Sequence, residues 1–497
     1  MPAEAAVVEW LASFVRFWDE VVLYYFVGLN LFYGVLFLTS VGETWRNWLL
    51  ASRLHVSERF DQEALPPISI VIPAYDEEES IVETVRAQLG LDYPHHEVIV
   101  VNDGSTDATF EVLEEEYDLY QVPPAFPRKI PTELVWGYYR SEEWPNLLVI
   151  DKANGGKSDA LNAGVNAARF PLCASVDADT VIARDALPRV VRPFLLEEGV
   201  AGSGGTIRVA NDCRIVDGKV VEPKVPGTFL AGVQVPEYLR AFLFGRLGWN
   251  RLGGNILVSG AFALYDRQLL LDAGGYPVES VTEDLSLTVG LHRSLKEEGR
   301  SYSLPFVPDP VAWTEVPEDL SDLGRQRERW HRGLIRTLLD NWKMILNPRY
   351  GAIGMVAMPF FLLGEMLAPL VEVLGYLVVA LGLGLGLLSW QYAGLFFAIA
   401  LGYMMMLSVW AVMLEEFTYR VYPSRRDFYR LLLLAFAEPF GYRQLTVYWR
   451  IRAFFKAFLG DREWGEHHRR GLGERSPPER ASGPGGVHPP DDEAGDR

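Results

Sequence analysis

The sequence has 497 residues, of which 49% are hydrophobic, and its mean hydropathy is +0.06. This length allows about two to four domains, and the hydropathy suits a soluble domain joined to a few membrane spans. The formal net charge of −19 argues against nucleic acid as a partner, because phosphate binding needs a basic surface. The two cysteines, Cys173 and Cys213, suggest neither a zinc site nor a disulfide framework. We expect both to be free thiols in a reducing compartment.

The N-terminal segment, residues 1–60, contains an uncharged apolar run at residues 21–41. This run is long enough to cross a bilayer core, and no small-residue cleavage site follows it. We therefore predict an uncleaved span. Acidic residues dominate before the run, whereas Arg46 and Arg53 follow it. The positive-inside tendency then places the next domain in the cytoplasm.

Residues 61–320 alternate apolar strands, polar turns and helices. Such a pattern with short loops predicts an α/β domain with a mainly parallel, doubly wound sheet. Ligands of such sheets bind at the carboxyl ends of the strands. The aspartates at these ends are Asp76, Asp103, Asp151, Asp177 and Asp179.

The predicted domain contains a long insertion at residues 117–146. It is aromatic, contains prolines and is too apolar for disorder. We expect it to pack against the sheet or the membrane surface.

The C-terminal third predicts interfacial helices at residues 321–350, which are rich in arginine, and membrane and amphipathic helices at 351–460. The apolar run at 355–388 is too long for one upright helix, and 393–414 is an uncharged span. One re-entrant or interfacial helix followed by one span fits, as do two short spans. Arginines on both flanks favour two crossings.

The residues after the last span are less apolar. Residues 428–459 resemble an amphipathic segment that lies on the membrane surface. The tail at 461–497, rich in glycine, proline and charge, has a composition typical of disorder.

Two carboxylates one residue apart follow an apolar strand at residues 172–176. Side chains i and i+2 of a strand point the same way, so Asp177 and Asp179 can converge just beyond its end. Such a pair suits Mg²⁺ or Mn²⁺ carrying a diphosphate, and the scarcity of nearby histidine fits oxygen ligands better than zinc. The alternative is a solvated turn, for which aspartate is a common residue.

Two further segments suit a nucleotide. Asp103 lies in an Asn-Asp-Gly-Ser turn, where its carboxylate can bind a base or ribose or can simply stabilise the turn. Lys157 ends a Gly-Gly-Lys segment before a helix, which suits an anion but also an ordinary glycine loop with a solvated lysine.

Two motifs suit group transfer. Thr282, Glu283 and Asp284 begin a predicted helix, with Thr282 as N-cap, and acids at this position are usually structural. A displacement with inversion, however, needs a carboxylate base. On the later helix, residues i, i+3 and i+4 share one face, which brings together Gln326, Arg329 and Trp330.

This second helix admits two interpretations. The guanidinium of Arg329 can clamp a departing diphosphate, and Trp330 offers a flat plate for a sugar ring. The other arginines suit contact with anionic lipid head groups; they are Arg325, Arg327, Arg332 and Arg336.

The ordered set of motifs resembles the processive, membrane-embedded, inverting glycosyltransferases of family 2, which include cellulose, hyaluronan, chitin and poly-N-acetylglucosamine synthases. The likeness covers residues 67–330 and the general arrangement of the membrane segments. It implies a GT-A domain that uses Mg²⁺ or Mn²⁺, a DxD motif at Asp177 and Asp179, and a QxxRW motif that begins at Gln326.

The resemblance also implies residue roles. Asp284 is the expected base and Arg329 the expected diphosphate clamp, while Asp177 and Asp179 hold the metal. Residues 259–265 are predicted to form a strand of small residues, which would admit the acceptor sugar, although close strand packing also explains them. The predicted substrate-binding residues are Asp76, Asp103, Lys157, Asp177, Ser259, Gly260, Glu283, Gln326 and Trp330.

The function implied by the resemblance is polymerisation of a β-linked polysaccharide from UDP-N-acetylglucosamine or UDP-glucose by a multi-pass plasma-membrane enzyme with a cytoplasmic catalytic domain. Expected partners are the UDP-sugar, a growing glycan or lipid acceptor and membrane lipids, and an accessory membrane subunit is compatible with this. One alternative is an enzyme that adds one or two sugars to a membrane lipid. Another is a non-catalytic component of glycan export.

Overall fold

The structure is a computed structural model that describes residues 2–53, 65–216 and 218–459. The tail at 461–497, for which the composition predicts disorder, lies outside the described residues. So does the junction at 54–64 between the N-terminal helix and the α/β domain.

A mixed β-sheet forms the centre of the α/β domain. Its strands are β1 (Ile68–Ala74), β2 (His96–Asp103), β3 (Tyr120–Val122), β4 (Val135–Arg140), β5 (Leu147–Lys152), β6 (Leu172–Val176), β7 (Val181–Ile182), β8 (Gly202–Val209), β11 (Phe262–Asp266) and β12 (Phe306–Thr314), while β9 (Arg214–Val216) and β10 (Lys219–Glu222) form a separate hairpin. The order in the sheet is β3-β4-β5-β2-β1-β6-β11-β8-β12-β7. The central block β5-β2-β1-β6 is parallel, whereas β11 runs antiparallel to both of its neighbours.

Apolar side chains fill both faces of this sheet. Ile70 and Ile72 of β1 belong to one hydrophobic cluster, whereas Val71 between them belongs to another. Successive strand residues point to opposite faces, so a strand without polar alternation must be covered on both sides. The covering helices are α2 (Ile81–Leu89), α3 (Thr109–Tyr117), α4 (Lys157–Ala167), α5 (Ala186–Leu196), α8 (Arg267–Asp272) and α9 (Glu283–Glu297).

The insertion at 117–146 extends the sheet. Within it, β4 pairs antiparallel with β5, and β3 pairs with β4. Phe126, Val135 and Tyr138 pack against the second hydrophobic cluster. Of the two alternatives left by the sequence, the insertion therefore packs against the sheet.

One helical stretch behind the sheet changes its winding. Helix α6 (Phe229–Leu239) continues as a π-helical turn over Arg240–Arg246 and then as α7 (Leu247–Leu252). π-helical turns are rare in proteins, and those that do occur are often found at functional sites. A closely packed glycine joins this stretch to the N-terminal helix, because a Cβ on Gly248 would lie 2.6 Å from the carbonyl oxygen of Leu36.

The apolar helices agree with the predicted spans in position. Helix α1 (Pro2–Arg53) contains the predicted 21–41 run, and a helix over Trp390–Thr418, here α13, contains 393–414. The ambiguous run folds as α11 (Ile353–Met366) and α12 (Ala368–Gly384), which meet at a bend of 44°. Among the described residues, two helices are long and apolar enough to cross a membrane, or three if the bent pair is one span.

The amphipathic C-terminal segment packs against the predicted interfacial helix α10 (Leu320–Asp340). It forms α14 (Arg425–Ala437) and α15 (Tyr442–Leu459). Glu328 of α10 forms ion pairs with Lys456 at 2.7 Å and Arg452 at 3.2 Å. Helix α15 therefore contacts the motif-bearing helix α10 directly.

Candidate active site

A cavity of about 1980 Å³ lies where the carboxyl ends of β1, β2 and β6 meet helices α9 and α10. It continues between α1, α11, α12, α13 and α15, so one space joins the sheet edge to the apolar helices. Asp151 does not line it; this carboxylate accepts a hydrogen bond from Asn102 at 2.8 Å. All of the predicted site residues line it: Asp76, Asp103, Lys157, Asp177, Asp179, Ser259, Gly260, Glu283, Asp284, Gln326, Arg329 and Trp330.

Parallel strand order brings the acidic residues together. Strands β1, β2 and β6 point the same way, so Asp76, Asp103 and Asp177 reach one edge of the sheet. Asp76 has a left-handed φ of 53°, which aspartate tolerates better than most residues. Its Oδ1 accepts a hydrogen bond from the amide of Thr106 at 2.6 Å, so it joins the β1 and β2 turns.

Asp103 is buried beneath the rim of the cavity. Lys152 and the amide of Gly155 donate to its Oδ1, the latter at 3.1 Å. Lys152 is fully buried and also pairs with Asp159 at 2.7 Å. Burial raises the pKa of the Asp103 carboxyl, and the hydrogen bond from Lys152 opposes that rise. These contacts fix the carboxylate at the end of β2.

Lys157 bridges two of the motifs. Its Nζ lies 2.7 Å from Asp177 Oδ1 and 2.6 Å from Glu283 Oε1. Burial raises the pKa of Asp177 while Lys157 lowers it, and the nearby Asp179 raises it again. Burial also works against ionisation of Glu283, but Lys157 outweighs this effect and lowers the pKa of that carboxyl. A single cation therefore links β6 to the start of α9.

Asp177 and Asp179 offer oxygen ligands of the kind that hard divalent ions prefer. No group of three or more His, Cys, Asp or Glu side chains that could hold a metal ion occurs among residues 2–53, 65–216 and 218–459. An ion held by these two carboxylates would need its remaining ligands from elsewhere, as substrate phosphates and water supply them for Mg²⁺.

Asp284 lies on the cavity wall with both carboxylate oxygens held by backbone amides. Gly260 donates to Oδ2 at 3.0 Å and Leu285 donates to Oδ1 at 2.8 Å. A Cβ on Gly260 would lie 3.2 Å from Oδ2, so a small residue permits this approach. Burial, followed by the charge of Glu283, raises the pKa of Asp284 to about 6. A carboxyl with this pKa is suited to proton transfer near neutral pH.

Helix α10 presents its motif to the cavity as the helical spacing predicts. Gln326 has a buried Oε1 without a hydrogen-bond partner in the described chain, and the indole of Trp330 is 38% exposed. Arg329 acts electrostatically on Glu283 and lowers its pKa. The motif therefore faces the carboxylates of α9 across the cavity.

Two details differ from the sequence expectations. Arg327, expected at lipid head groups, is buried: it pairs with Glu237 at 2.7 Å and lies 4.5 Å from the ring centre of Trp330. Its position on α10 turns it toward α6, which amphipathic spacing alone does not specify. Thr282 occupies the N-cap position of α9, but its side chain makes no capping hydrogen bond. Helix α10 packs against it instead, since a Cβ on Gly333 would lie 2.1 Å from Thr282 Oγ1.

The strand near Asp284 is also shorter than the sequence predicts. The sequence predicts a strand over 259–265, whereas β11 begins only at Phe262. Ser259 and Gly260 precede it, and the backbone amide of Gly260 donates a hydrogen bond to Asp284.

The deep end of the cavity is lined by charges from the apolar helices. Glu365 pairs with Arg450 at 3.2 Å, and Glu372 pairs with Arg443 at 2.7 Å. In the sequence, these two glutamates interrupt an apolar run, which suggests either that they line a passage or that they pair with arginines. They do both, since all four residues line the cavity.

Several residues that line the cavity were not predicted from the sequence. Tyr238, Arg240 and Arg246 belong to α6 and the π turn, and all three line the cavity. Their segment carries no motif and precedes the small-residue stretch by more than a helical turn. The isolated arginines in an apolar run were the available signal.

Two family models match the chain. The model described as Glycosyl transferase family 2 matches residues 69–272, and the one described as Glycosyl transferase family group 2 matches residues 174–419. The first covers the strand-edge carboxylates. The second covers Asp284, the QxxRW motif and the apolar helices through α13.

The chain is also similar to curated bacterial synthases. It is 27% identical over 280 residues to a poly-beta-1,6-N-acetyl-D-glucosamine synthase of Staphylococcus epidermidis, a match over 56% of this chain and 57% of the relative. It is 27% identical over 293 residues to the synthase of the same name from Staphylococcus aureus strain COL, over 58% of this chain and 60% of the relative. The match thus spans little more than half of these relatives.

Solved structures give weaker likenesses. A mannosyltransferase from Pyrobaculum calidifontis, in complex with GDP-Man and Mn²⁺, has a TM-score of 0.47 and 17% identity, covering 85% of this chain and 99% of that one. S. aureus TarS 1–349 in complex with UDP-GlcNAc has a TM-score of 0.34 and 16% identity, covering 76% of this chain and 92% of that one.

The α/β domain has a mixed sheet with a parallel centre and helices on both faces. The GT-A fold class predicted from the sequence is confirmed. With the family models spanning the sheet, the motifs and the apolar helices, the chain belongs to glycosyltransferase family 2.

Proposed function

We propose that this protein is an inverting membrane glycosyltransferase that uses a UDP-sugar to extend a β-linked polysaccharide. The observation that carries the proposal is the single cavity that joins the strand-edge carboxylates, Asp284 and Trp330 to the space between the apolar helices. An enzyme that releases a long product across a membrane needs such a connection. Similarity to poly-N-acetylglucosamine synthases makes UDP-N-acetylglucosamine the first donor to test.

The donor is assigned to the sheet edge. Asp76 and Asp103 would bind the nucleoside, because they lie at the ends of β1 and β2 where such sheets bind ligands. Asp177 and Asp179 would hold Mg²⁺ or Mn²⁺, and a bound ion would neutralise charge on the diphosphate. Lys157 lies within ion-pair distance of Asp177 and would contact the same phosphates.

The reaction is a single displacement. Asp284 takes the proton of an acceptor hydroxyl, whose oxygen attacks the anomeric carbon. The new bond from carbon to the acceptor oxygen forms as the bond to the phosphate oxygen breaks, and the electron pair leaves with UDP. Arg329 and Lys157 stabilise the charge on the departing diphosphate.

The acceptor would lie between Asp284 and the apolar helices. The partly exposed indole of Trp330 provides a flat surface for a sugar ring. Beyond it, Glu365 and Glu372 are neutralised by Arg450 and Arg443, so the passage is polar without a strong net charge. Such a lining suits a neutral, hydroxyl-rich chain.

We also propose the membrane arrangement expected from the sequence. The chain would be a multi-pass plasma-membrane protein, with the catalytic domain at 61–320 in the cytoplasm and the interfacial helices at 321–350 beneath the bilayer. Positive charge after the first and last apolar helices supports this orientation. Contacts with membrane lipids follow from it.

The test is UDP release by the detergent-purified protein with a panel of UDP-sugars, in Mg²⁺, Mn²⁺ or chelator, with the products sized on a gel. We expect turnover with one donor, long products and loss of turnover in chelator. Asp284→Asn should reduce turnover about 10²- to 10⁴-fold, the range that general base catalysis supplies. Asp151→Asn is the matched control, since Asp151 also ends a central strand but lies outside the cavity.

Other outcomes would replace this proposal. Short, lipid-linked products would favour an enzyme that glycosylates a membrane lipid. Near-normal turnover of folded Asp284→Asn would remove the assigned base. Absence of UDP release and of metal-dependent UDP binding would favour a non-catalytic component of glycan export.

A further inference from the structure

Arg246 is a half-buried arginine without the carboxylate partner found beside comparable arginines. It ends the π turn, lines the cavity and places its guanidinium 4.2 Å from the ring centre of Phe242. Its Nη1 is buried without a hydrogen-bond partner. Several other described arginines that are buried or line the cavity have ion pairs, among them Arg208 with Glu415, Arg240 with Glu438, Arg327 with Glu237 and Arg443 with Glu372.

A half-buried guanidinium with an unpaired, buried Nη1 is costly to the folded protein. Removing a guanidinium from water without a compensating anion is strongly unfavourable, and burial lowers the pKa of Arg246 to about 10. Packing against Phe242 offsets only part of this cost. A position that is expensive for folding and open to a reaction cavity is therefore best explained by a ligand.

Arg246 interacts electrostatically with the assigned base, and both side chains line the cavity. The group that attracts it most is Asp284, followed by Tyr238 and Tyr265. The carboxylate of Asp177 is instead engaged by Lys157 at 2.7 Å. Arg246 therefore shares the cavity with the assigned base, whereas the direct contacts of Lys157 are to Asp177 and Glu283.

Asp284 and Arg246 both line the cavity, so a ligand that occupies this space can contact both side chains. Each carboxylate oxygen of Asp284 accepts one backbone amide, and no ion pair joins this carboxylate to Arg246 within the part of the chain that the structure describes. A hydroxyl placed there can donate its proton to Asp284 while its oxygen accepts a hydrogen bond from the guanidinium. Negative charge that develops on this oxygen during attack would be stabilised by the same contact.

We propose that Arg246 is a further catalytic residue, which donates a hydrogen bond to the acceptor hydroxyl that Asp284 deprotonates. This inference rests on the proposed glycosyl transfer. The proton passes to Asp284, the acceptor oxygen forms its bond to the anomeric carbon, and UDP leaves with the electron pair. Arg246 itself neither gains nor loses a proton.

The experiment compares Arg246→Met with Arg251→Met in the full-length, detergent-purified protein. Arg251 lies on the adjoining helix with a 66% exposed side chain, so it controls for loss of a positive charge in this region. Three quantities are measured: the transfer rate to a short β-linked N-acetylglucosamine oligosaccharide, the Kd for UDP, and the melting temperature.

For Arg246→Met we expect the transfer rate to fall about 10- to 150-fold, which corresponds to loss of a hydrogen bond from a charged group. The Kd for UDP should stay within about twofold, and the melting temperature should stay equal or rise, because a costly, half-buried charge is removed. Arg251→Met should match the wild type in all three measurements.

Two results would overturn the inference. A transfer rate within about threefold of wild type would show that Arg246 does not contact the reacting hydroxyl. A weaker affinity for UDP that accounts for the whole loss of rate would move Arg246 to the donor site. If Arg246→Met does not fold, its charge is structural, and Arg246→Lys, which keeps the charge but not the planar fork, must then still lose rate for the inference to stand.

Failure of the proposed function can be separated from failure of this inference. If the wild type releases no UDP from any donor, oligosaccharide binding is followed instead by quenching of tryptophan fluorescence. Weaker binding to Arg246→Met than to Arg251→Met would retain the acceptor contact without the transfer reaction. Equal binding to both variants would reject it.

Discussion

The environment of Asp284 leads to a prediction about how the rate of transfer depends on pH. Burial and the neighbouring Glu283 raise its pKa to about 6, while Lys157 and Arg246 oppose that rise. A base must be ionised to accept a proton, so kcat/KM for transfer should be constant above this pKa and fall about tenfold per pH unit below it. Initial rates of UDP release at several pH values, at low acceptor concentration, would measure this limb.

The control for this pH dependence is binding. The Kd for UDP, measured over the same pH range, should not follow the acid limb of the rate if the titrating group is Asp284. Glu283→Gln should shift the limb to lower pH, because it removes a negative charge that raises the pKa of Asp284. A limb that stays in place in this variant would assign the titration to another group.

At the same scale, sequence reasoning found the residues whose positions depend on strand alternation or helical spacing. Asp177 and Asp179 follow from the two-residue strand period, and Gln326 and Trp330 from the helical period. Arg246 depends instead on a local π turn and on what packs around it, and neither is encoded in a short motif. Arg327 shows the same limit, since its neighbour on α6 decides that it is buried.

At the scale of elements, the contact between α9 and α10 holds the Thr-Glu-Asp segment in place. Gly333 of α10 packs directly against Thr282, and an added Cβ would lie 2.1 Å from Thr282 Oγ1. Gly333→Ala should therefore displace the start of α9 and lower kcat about 10- to 100-fold, since small misplacements near reacting groups are costly. Steady-state UDP release would test this.

Gly290→Ala is the matched control for this helix contact. Gly290 lies inside α9, and an added Cβ there would meet nothing within 4 Å. It should leave kcat unchanged and stabilise the protein by up to about 1 kcal/mol, because alanine has the higher helix propensity. Equal activity of the two variants would show that the α9–α10 contact does not position Asp284.

The apolar pattern of the sequence predicts some of the helices and leaves the arrangement of others open. It located α1 and α13, because long uncharged runs have few alternatives to a helix. It could not choose between the arrangements of residues 355–388, because the bend of 44° between α11 and α12 depends on packing against neighbouring helices. The insertion at 117–146 was ambiguous for a similar reason, since its pairing partner β5 is specified only by the folded sheet.

At the scale of the whole molecule, the shared cavity joins two parts that the sequence describes separately. The motifs predict a catalytic site, and the apolar runs predict membrane helices, but neither predicts that one space connects them. That connection depends on ion pairs between distant segments, such as Glu372 with Arg443 at 2.7 Å. Under the proposed function, it would also make product length a property that can be changed away from the reacting groups.

Narrowing the deep end of the cavity should therefore shorten the product without stopping the chemistry. Ala368 lies at the start of α12 and lines the cavity together with Glu365 and Glu372. In Ala368→Trp the indole would occupy space that a growing chain needs, while Asp284 and the strand-edge carboxylates remain unchanged. We expect short products on a sizing gel, with initial UDP release on a short acceptor within about twofold of wild type, a smaller change than loss of one hydrogen bond to a charged group would cause.

Ala380→Trp provides the comparison on the same helix. Ala380 is exposed on α12 and does not line the cavity, so this variant should make products of normal length. Long products from folded Ala368→Trp would show that the glycan leaves by another route. Equally short products from both variants would indicate disturbed packing of α12, because only the indole at position 368 can block the cavity.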